Sequence, residues 1–345
     1  MSNVVAVCKA LLEVRDPEFA SSLSPGQLRH RYGSAQEGPR RIGPAEVCGR
    51  QTVRRVGGDR SGTRFRRAHR TCEHWAMTQY RHVVALGSSF AAGPGIEPIE
   101  DFPAMRSKRN YAHLAAERLG ADLVDLTVSG ATTATILDTP QITMAGVEFA
   151  PQIEGLPADA DLVTLTAGGN DLQFAGSMLY EAWRQKDPDS PLVTMMAQQF
   201  PRGVPAPTTE AIEATAQGLL RIVQTVRSRA ADARVVLVDY LTVLDDATGS
   251  DDATGPDNDL PFSAAQRAAF RRIQDGIARA YGIAADRSAA EVLRVSELSA
   301  EHALGSAEPW VFGFQPTLES TAHSFHPNEK GMAAVADALV RLLES

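Results

Sequence analysis

The sequence predicts an α/β protein with a parallel sheet of about five strands and helices on both faces of the sheet. Short runs rich in Val and Leu alternate along the chain with longer segments that repeat apolar residues at helical spacing. The short runs are almost continuously apolar, which is typical of parallel strands buried on both faces. We expect residues 77–345 to form one domain of this class.

Each element follows from a local pattern. The helix at 110–119 ends at Gly120, and Ser263 is the expected cap of the helix at 263–281. The predicted strands are 82–86, 122–128, 161–167, 234–240 and a weaker run at 292–295, and the predicted helices are 110–119, 208–230, 263–281 and 328–343.

Two insertions interrupt the alternation. Residues 171–207 contain a predicted helix at 173–185 and a stretch with Met195, Met196 and Phe200, which suits either a lid or acyl-binding wall or an ordinary surface excursion. Residues 245–259 are acidic, but their spacing does not match a calcium loop. We expect a solvated loop without a metal there.

Composition sets the first 76 residues apart. They hold 14 Lys and Arg against 7 Asp and Glu, whereas residues 77–345 hold 20 against 35. Without a sustained helix or strand period, the basic segment is predicted to be a disordered extension. A basic arm that binds nucleic acid or an acidic membrane is the alternative, and a start assigned upstream of Met77 would make the extension non-essential. We expect no nucleic-acid partner.

The remaining composition excludes several classes of protein. Cys8, Cys48 and Cys72 all precede residue 77, so the predicted domain needs neither disulfides nor a thiolate metal site. No apolar run reaches the length of about 18 residues that a membrane span requires. Lys9 and Glu13 interrupt the first apolar segment, and no small-residue cleavage site follows it, which predicts a cytoplasmic protein. We expect a monomer.

Four residues carry the candidate chemistry. Ser89 follows the first predicted strand, Gly130 the second and Asn170 the third, and His326 precedes the last helix. Loops at the carboxyl ends of parallel strands meet at one edge of the sheet, where ligands bind. The chain contains no G-x-S-x-G, P-loop or H-E-x-x-H motif, so a serine mechanism without a metal or other cofactor remains.

These segments resemble the GDSL or SGNH hydrolases, a family of esterases and lipases marked by Ser, Gly, Asn and His in that order. Residues 87–90 (GSSF) are similar to the GDS[LYF] block, residues 168–171 (GGND) match the GxND block, and His326-Pro327 resembles the histidine block. The resemblance covers residues 77–345 and implies a three-layer α/β/α, flavodoxin-like fold. It also implies that Ser89 is the nucleophile, His326 the general base, and the Ser89 N–H, the Gly130 N–H and the Asn170 side chain the oxyanion hole.

The chain departs from the family pattern at two positions. Ser88 replaces the Asp of the first block, which affects local hydrogen bonding more than chemistry. His323 replaces the acidic residue that normally lies three positions before the histidine. We expect the main-chain carbonyl of His323 to orient His326, with Glu319 as the rival orienting group.

The resemblance favours hydrolysis of a small-molecule or lipid carboxylic ester. An acyltransferase or deacetylase could use the same four residues, and a non-catalytic protein could bind an anion through the GSSF and GGND loops. An aromatic content of 6% favours short or medium acyl groups.

Overall fold

The computed structural model describes residues 80–246, 248 and 260–345. The predicted extension at 1–76 and most of the acidic loop at 245–259 lie outside the described residues. Its strands are β1 (His82–Gly87), β2 (Ile99–Asp101), β3 (Arg106–Ser107), β4 (Asp122–Asp125), β5 (Gln141–Ile142), β6 (Glu148–Phe149), β7 (Leu162–Thr166), β8 (Arg234–Val238) and β9 (Glu291–Leu293).

Five of these strands form the central sheet, in the order β4-β1-β7-β8-β9, and every neighbouring pair is parallel. The predicted sheet of five parallel strands is therefore confirmed. All five residues of β7 are buried, whereas the edge strands β4 and β9 are partly exposed. This burial agrees with the near-continuous apolar runs at the centre of the sheet. The pairs β2–β3 and β5–β6 are small antiparallel hairpins that periodicity did not predict.

Helices cover the sheet in two layers. The chain runs from β1 to β4 toward one edge of the sheet, and from β7 through β8 to β9 toward the other edge. Right-handed crossovers in opposite directions place the connecting helices on opposite faces of the sheet. The helices are α1 (Ser89–Ala92), α2 (Tyr111–Leu119), α3 (Thr133–Leu137), α4 (Phe174–Lys186), α5 (Pro191–Met196), α6 (Thr209–Arg229), α7 (Ala264–Ser288), α8 (Val295–Leu298) and α9 (Glu329–Glu344). Accordingly α2 packs against α9, and α6 packs against α7.

The helix boundaries differ most from the predicted ones at α7, which continues to Ser288 instead of ending at Tyr281. Tyr281 is buried and its hydroxyl bonds both the N–H and the carbonyl of Ala167, so this turn of the helix packs against the sheet. The apolar periodicity of the sequence could not predict this polar contact.

The insertion at 171–207 is ordered by its own apolar cluster. Helices α4 and α5 bury six side chains against each other and the following loop: Tyr180, Trp183, Leu192, Val193, Met196 and Phe200. The Trp183 indole N–H donates to Thr321 Oγ1 at 2.6 Å, which joins this insertion to the segment before His326. No helix among the described residues is long and apolar enough to cross a bilayer.

Candidate active site

The nucleophile candidate lies where β1 turns sharply into α1. Ser89 is the first residue of α1 and is only 6% exposed. A side chain at Gly87 would place a Cβ 2.5 Å from the Thr166 carbonyl oxygen, so a glycine is required where the two strands end side by side. The Ser88 N–H donates to that same carbonyl at 2.9 Å. The sequence Gly-Ser-Ser therefore presents Ser89 at the carboxyl edge of the sheet.

His326 reaches this serine from the far end of the chain. Its Nε2 lies 2.8 Å from Ser89 Oγ, and its Nδ1 lies 2.8 Å from the carbonyl oxygen of Ser324. A carbonyl can only accept, so the hydrogen-bonding pattern places the proton on Nδ1. The lone pair of Nε2 then faces the hydroxyl of Ser89.

The carbonyl that meets Nδ1 corrects the expectation for His323. The His323 carbonyl instead accepts the main-chain N–H of His326 at 3.1 Å. Phe325 has a φ of 64° and is fully buried, and this left-handed residue turns the chain so that the imidazole faces back to Ser324. The rival, Glu319, forms no hydrogen bond with His326, whose two ring nitrogens face Ser324 and Ser89.

The environment of His326 keeps its imidazole neutral. Burial lowers the pKa of His326 from 6.5 to about 4, against the opposing effect of the hydrogen bond to Ser324. The nearby His323 also lowers this pKa electrostatically, while its main-chain hydrogen bond opposes the decrease. At pH 7 the imidazole is therefore a free base.

The predicted oxyanion donors lie on loops that hydrogen bonds hold together. The Asn170 side chain donates to the Ala131 carbonyl at 2.9 Å, which joins the GGND loop to the loop of Gly130. Gly130 is exposed and has a φ of 85°, a conformation that favours glycine. Within the described residues, the N–H groups of Ser89 and Gly130 have no protein acceptor. Two donors therefore remain available to an oxygen anion.

Asp171 of the GGND segment holds the loop after Gly130 in place. Its carboxylate accepts from the Thr133 hydroxyl at 2.6 Å and from the Thr133 N–H at 3.1 Å, in the first turn of α3. Burial raises the pKa of Asp171, while the hydrogen bonds from Thr133 oppose that increase. Asp171 thus positions the loop of Gly130.

Sequence reasoning missed Tyr240, which joins the segment of Ser88 and Ser89 to the GGND loop. Its buried hydroxyl accepts the N–H of Gly169 at 2.9 Å and lies 3.1 Å from Ser88 Oγ. Its ring packs on Phe90, with centroids 4.4 Å apart. Ser88, the departure from the family pattern, thus has a specific hydroxyl partner. Tyr240 ends the predicted strand 234–240, and that position at the carboxyl edge was the available signal.

Apart from Ser89 and His326, the described residues include a cluster of three side chains of types that can bind a metal. Ligand atoms of Glu100, His113 and Asp125 lie within 4.8 Å of one another. The Arg106 guanidinium donates to Glu100 at 2.7 Å, so a cation already lies in this cluster. Hydrogen bonds from His113 and Arg106, with the charge of Arg106, lower the pKa of Glu100 to about 2. We interpret the cluster as an ion-pair network that joins the β2–β3 hairpin to α2 and β4.

Comparison with known proteins identifies the family of this chain. Residues 85–334 match the GDSL-like Lipase/Acylhydrolase family. Lipase 2 of Streptomyces coelicolor is 30% identical over 275 residues, which cover 75% of this chain and 85% of that lipase.

Solved structures share the fold at lower identity. The extracellular lipase of Streptomyces rimosus superposes with a TM-score of 0.54 and 22% identity, over 76% of this chain and 98% of the lipase. Phospholipase A1 of Streptomyces albidoflavus NA297 superposes with a TM-score of 0.56 and 20% identity, over 77% and 98% of the two chains. The resemblance read from the sequence is confirmed: the chain is a carboxylic ester hydrolase that belongs to the GDSL-like lipase/acylhydrolase family.

Proposed function

We propose that this chain cleaves its ester through a covalent acyl-enzyme on Ser89, with His326 as the base and a main-chain carbonyl in place of the usual carboxylate. The proposal rests on the two hydrogen bonds of the His326 ring. His326 Nε2 lies 2.8 Å from Ser89 Oγ while Nδ1 is held at 2.8 Å by the Ser324 carbonyl. A nucleophile and an oriented base within hydrogen-bond reach are the requirement for acyl transfer.

In the proposed acylation, Ser89 Oγ forms a bond to the ester carbonyl carbon as Nε2 of His326 takes the hydroxyl proton. The oxyanion that results is stabilised by the N–H groups of Ser89 and Gly130 and by the Asn170 side chain. Cleavage of the bond to the alcohol oxygen follows, and His326 returns the proton to that oxygen. In deacylation, water replaces the alcohol by the same steps, which releases the acid and restores Ser89.

The hydrogen bond from His326 Nδ1 to the Ser324 carbonyl supports a dyad of Ser89 and His326 that works without a carboxylate. It fixes the tautomer and direction of the imidazole, as a carboxylate would. It supplies a dipole and not a full charge, so the imidazolium of the transition state gains less stabilisation. The pKa of His326, about 4, means that the base needs no deprotonation at neutral pH.

Hydrolysis of p-nitrophenyl butyrate by the full chain tests this proposal. Ser89→Ala and His326→Gln should each lower kcat by at least roughly 10⁴-fold, because the nucleophile and base act as a unit. Matched controls are Ser228→Ala on the exposed face of α6 and His82→Gln at the start of β1. Both should hydrolyse the ester at the wild-type rate.

Labelling separates the remaining alternatives. Diethyl p-nitrophenyl phosphate should add one phosphoryl group, and peptide mass spectrometry should place it on Ser89 and not on Ser88. A folded protein that is neither labelled nor active would be an anion-binding protein, and would overturn the proposal. Butyryl transfer to an added alcohol in place of water would identify an acyltransferase using the same acyl-enzyme.

A further inference from the structure

Trp183 joins the insertion at 171–207 to the segment that precedes His326. It lies on α4, where its ring belongs to the apolar cluster of the insertion and the residue is only 6% exposed. Its indole N–H donates to the hydroxyl oxygen of Thr321 at 2.6 Å, across 138 positions of the chain. A buried indole N–H requires an acceptor, and Trp183 finds this acceptor outside its own apolar cluster. The bond therefore fixes Thr321, which is also buried, to the insertion.

Thr321 is in turn hydrogen-bonded to the residue that orients the imidazole. The main-chain N–H of Ser324 donates to the Thr321 carbonyl at 3.1 Å. The carbonyl of the same Ser324 accepts from Nδ1 of His326 at 2.8 Å, and Nε2 of that ring faces the Ser89 hydroxyl. Three hydrogen bonds thus lead from Trp183 to the imidazole, and a fourth leads on to Ser89.

The ring of Trp183 supports Ser324 from a second direction. It packs edge-on against Phe314, with ring centroids 5.9 Å apart. The next residue, Gln315, donates its main-chain N–H to Oγ of Ser324 at 2.9 Å. Phe314 also stacks on Phe325, the buried residue with a positive φ, at a centroid distance of 6.2 Å and an angle of 6°. Trp183 therefore contacts both of the segments that bond to Ser324.

Helix α4 is itself anchored to the body of the protein close to Trp183. Glu181 is buried and accepts from the side chain of Gln266, in the first turn of α7, at 2.8 Å. The same carboxylate accepts from Arg184 at 2.6 Å. These bonds and the apolar packing of α4 on α5 hold Trp183 in a fixed place.

We propose that Trp183 is a positioning residue for the base of the reaction. By holding Thr321 and Phe314 it fixes Ser324, and the Ser324 carbonyl then aims His326 at the nucleophile. This inference rests on the acyl-enzyme mechanism proposed above. It assigns the insertion at 171–207 the task of supporting the histidine segment, in place of the lid or acyl-binding wall that its length suggested.

Steady-state hydrolysis of p-nitrophenyl butyrate by two variants of the full chain tests the proposal. Trp183→Phe removes the indole N–H and keeps an aromatic ring near Phe314, and Thr321→Val removes the acceptor. Each should lower kcat by about 10-fold and keep KM within about twofold, because a small displacement of a catalytic group is costly in turnover. The double variant should lose no more than either single variant, since both remove the same hydrogen bond.

Two controls separate positioning from stability. Thr321→Ser retains the hydroxyl and should keep kcat within about twofold of wild type. Val193→Ala truncates a side chain of the same apolar cluster and leaves the bond between Trp183 and Thr321 intact. It should unfold at a lower urea concentration and retain the wild-type kcat.

A spectroscopic measurement reports on the imidazole directly. In protein with ¹⁵N-labelled histidine, NMR distinguishes a proton on Nδ1 from a proton on Nε2, and the spectrum of His326→Gln assigns the signals. The wild-type protein and Val193→Ala should show His326 with its proton on Nδ1. In Trp183→Phe the signals should shift toward a mixture of the two tautomers.

The outcomes separate this inference from the mechanism on which it rests. A wild-type kcat in folded Trp183→Phe and Thr321→Val, with Ser89→Ala inactive, would overturn the positioning role and keep the mechanism. Additive losses in the double variant, or an equal loss of kcat in Val193→Ala, would also overturn the positioning role. Undiminished hydrolysis in Ser89→Ala would refute the mechanism itself.

Discussion

Removal of the Tyr240 hydroxyl should reduce turnover more than its distance from the reacting atoms suggests. The hydrogen bonds form a chain from the Gly169 N–H to the Tyr240 hydroxyl and on to Ser88 Oγ, which in turn lies 3.5 Å from the Thr166 carbonyl. Burial raises the pKa of Tyr240 to about 12, so the hydroxyl is neutral at any working pH and acts through hydrogen bonds alone. Tyr240→Phe interrupts this chain at its centre.

The expected loss of turnover follows from the hydrogen-bonding groups that lose the Tyr240 hydroxyl as a partner. In Tyr240→Phe, Ser88 Oγ keeps the Thr166 carbonyl within reach, but the buried Gly169 N–H loses its acceptor. A buried donor without a partner costs about 1–3 kcal/mol of unfolding free energy. Gly169 immediately precedes Asn170, and a displacement of about 1 Å at a catalytic group can cost roughly 10²-fold. We therefore expect kcat to fall by about 10- to 10²-fold, with little change in KM.

Tyr111→Phe is the matched control, since Tyr111 is equally buried and its hydroxyl bonds the side-chain hydroxyls of Thr164 and Thr166 within β7. We expect a comparable loss of stability in urea unfolding and an unchanged kcat for p-nitrophenyl butyrate. If Tyr240→Phe loses 1–3 kcal/mol of stability but keeps its kcat, the hydroxyl supports the fold and does not position the catalytic loops, and our reasoning is refuted.

Four further predictions concern the Ser89–His326 pair and the oxyanion donors. Because the pKa of His326 is about 4, kcat/KM should stay constant down to about pH 5 and fall tenfold per pH unit below about 4, and an acid limb near the ordinary value of 6.5 would contradict this. The same lowered pKa means that the unfolded chain binds a proton more readily, so the unfolding free energy should decrease as the pH falls from about 6.5 toward 4 in urea titrations. Glu319→Gln should keep kcat within about twofold, because the Ser324 carbonyl already holds Nδ1, whereas a loss of several thousand-fold would show that a carboxylate orients the imidazole. Asn170→Ala should lower kcat by roughly 10²- to 10³-fold in steady-state assays, and an unchanged kcat would remove its side chain from the oxyanion hole.

Local periodicity was sufficient for the sheet, and the resemblance to the motif order of the family supplied the roles of the candidate residues. The positions of Ser89, Gly130 and Asn170 agreed with one rule, that loops at the carboxyl ends of parallel strands meet at one edge. That rule needs only the ends of the apolar runs, which the sequence displays directly. The small hairpins escaped prediction because runs of two or three residues carry no measurable period.

The orienting carbonyl could not be predicted in the same way. The family spacing pointed to the position three residues before His326, where a side chain would serve. A main-chain carbonyl points where the backbone dihedral angles aim it, and these depend on the buried Phe325 and its positive φ. The carbonyl of Ser324, and not that of His323, therefore meets Nδ1 of His326 because of backbone dihedral angles that residue types do not determine.

The chain on its own thus specified the fold class, the family and the four candidate residues, since these depend on hydrophobic period, strand ends and motif order. Folding in three dimensions decided which carbonyl meets His326, and it brought Tyr240 into contact with Gly169 across 71 residues. These features arise where segments distant in sequence come into contact, and no local pattern records how such segments pack.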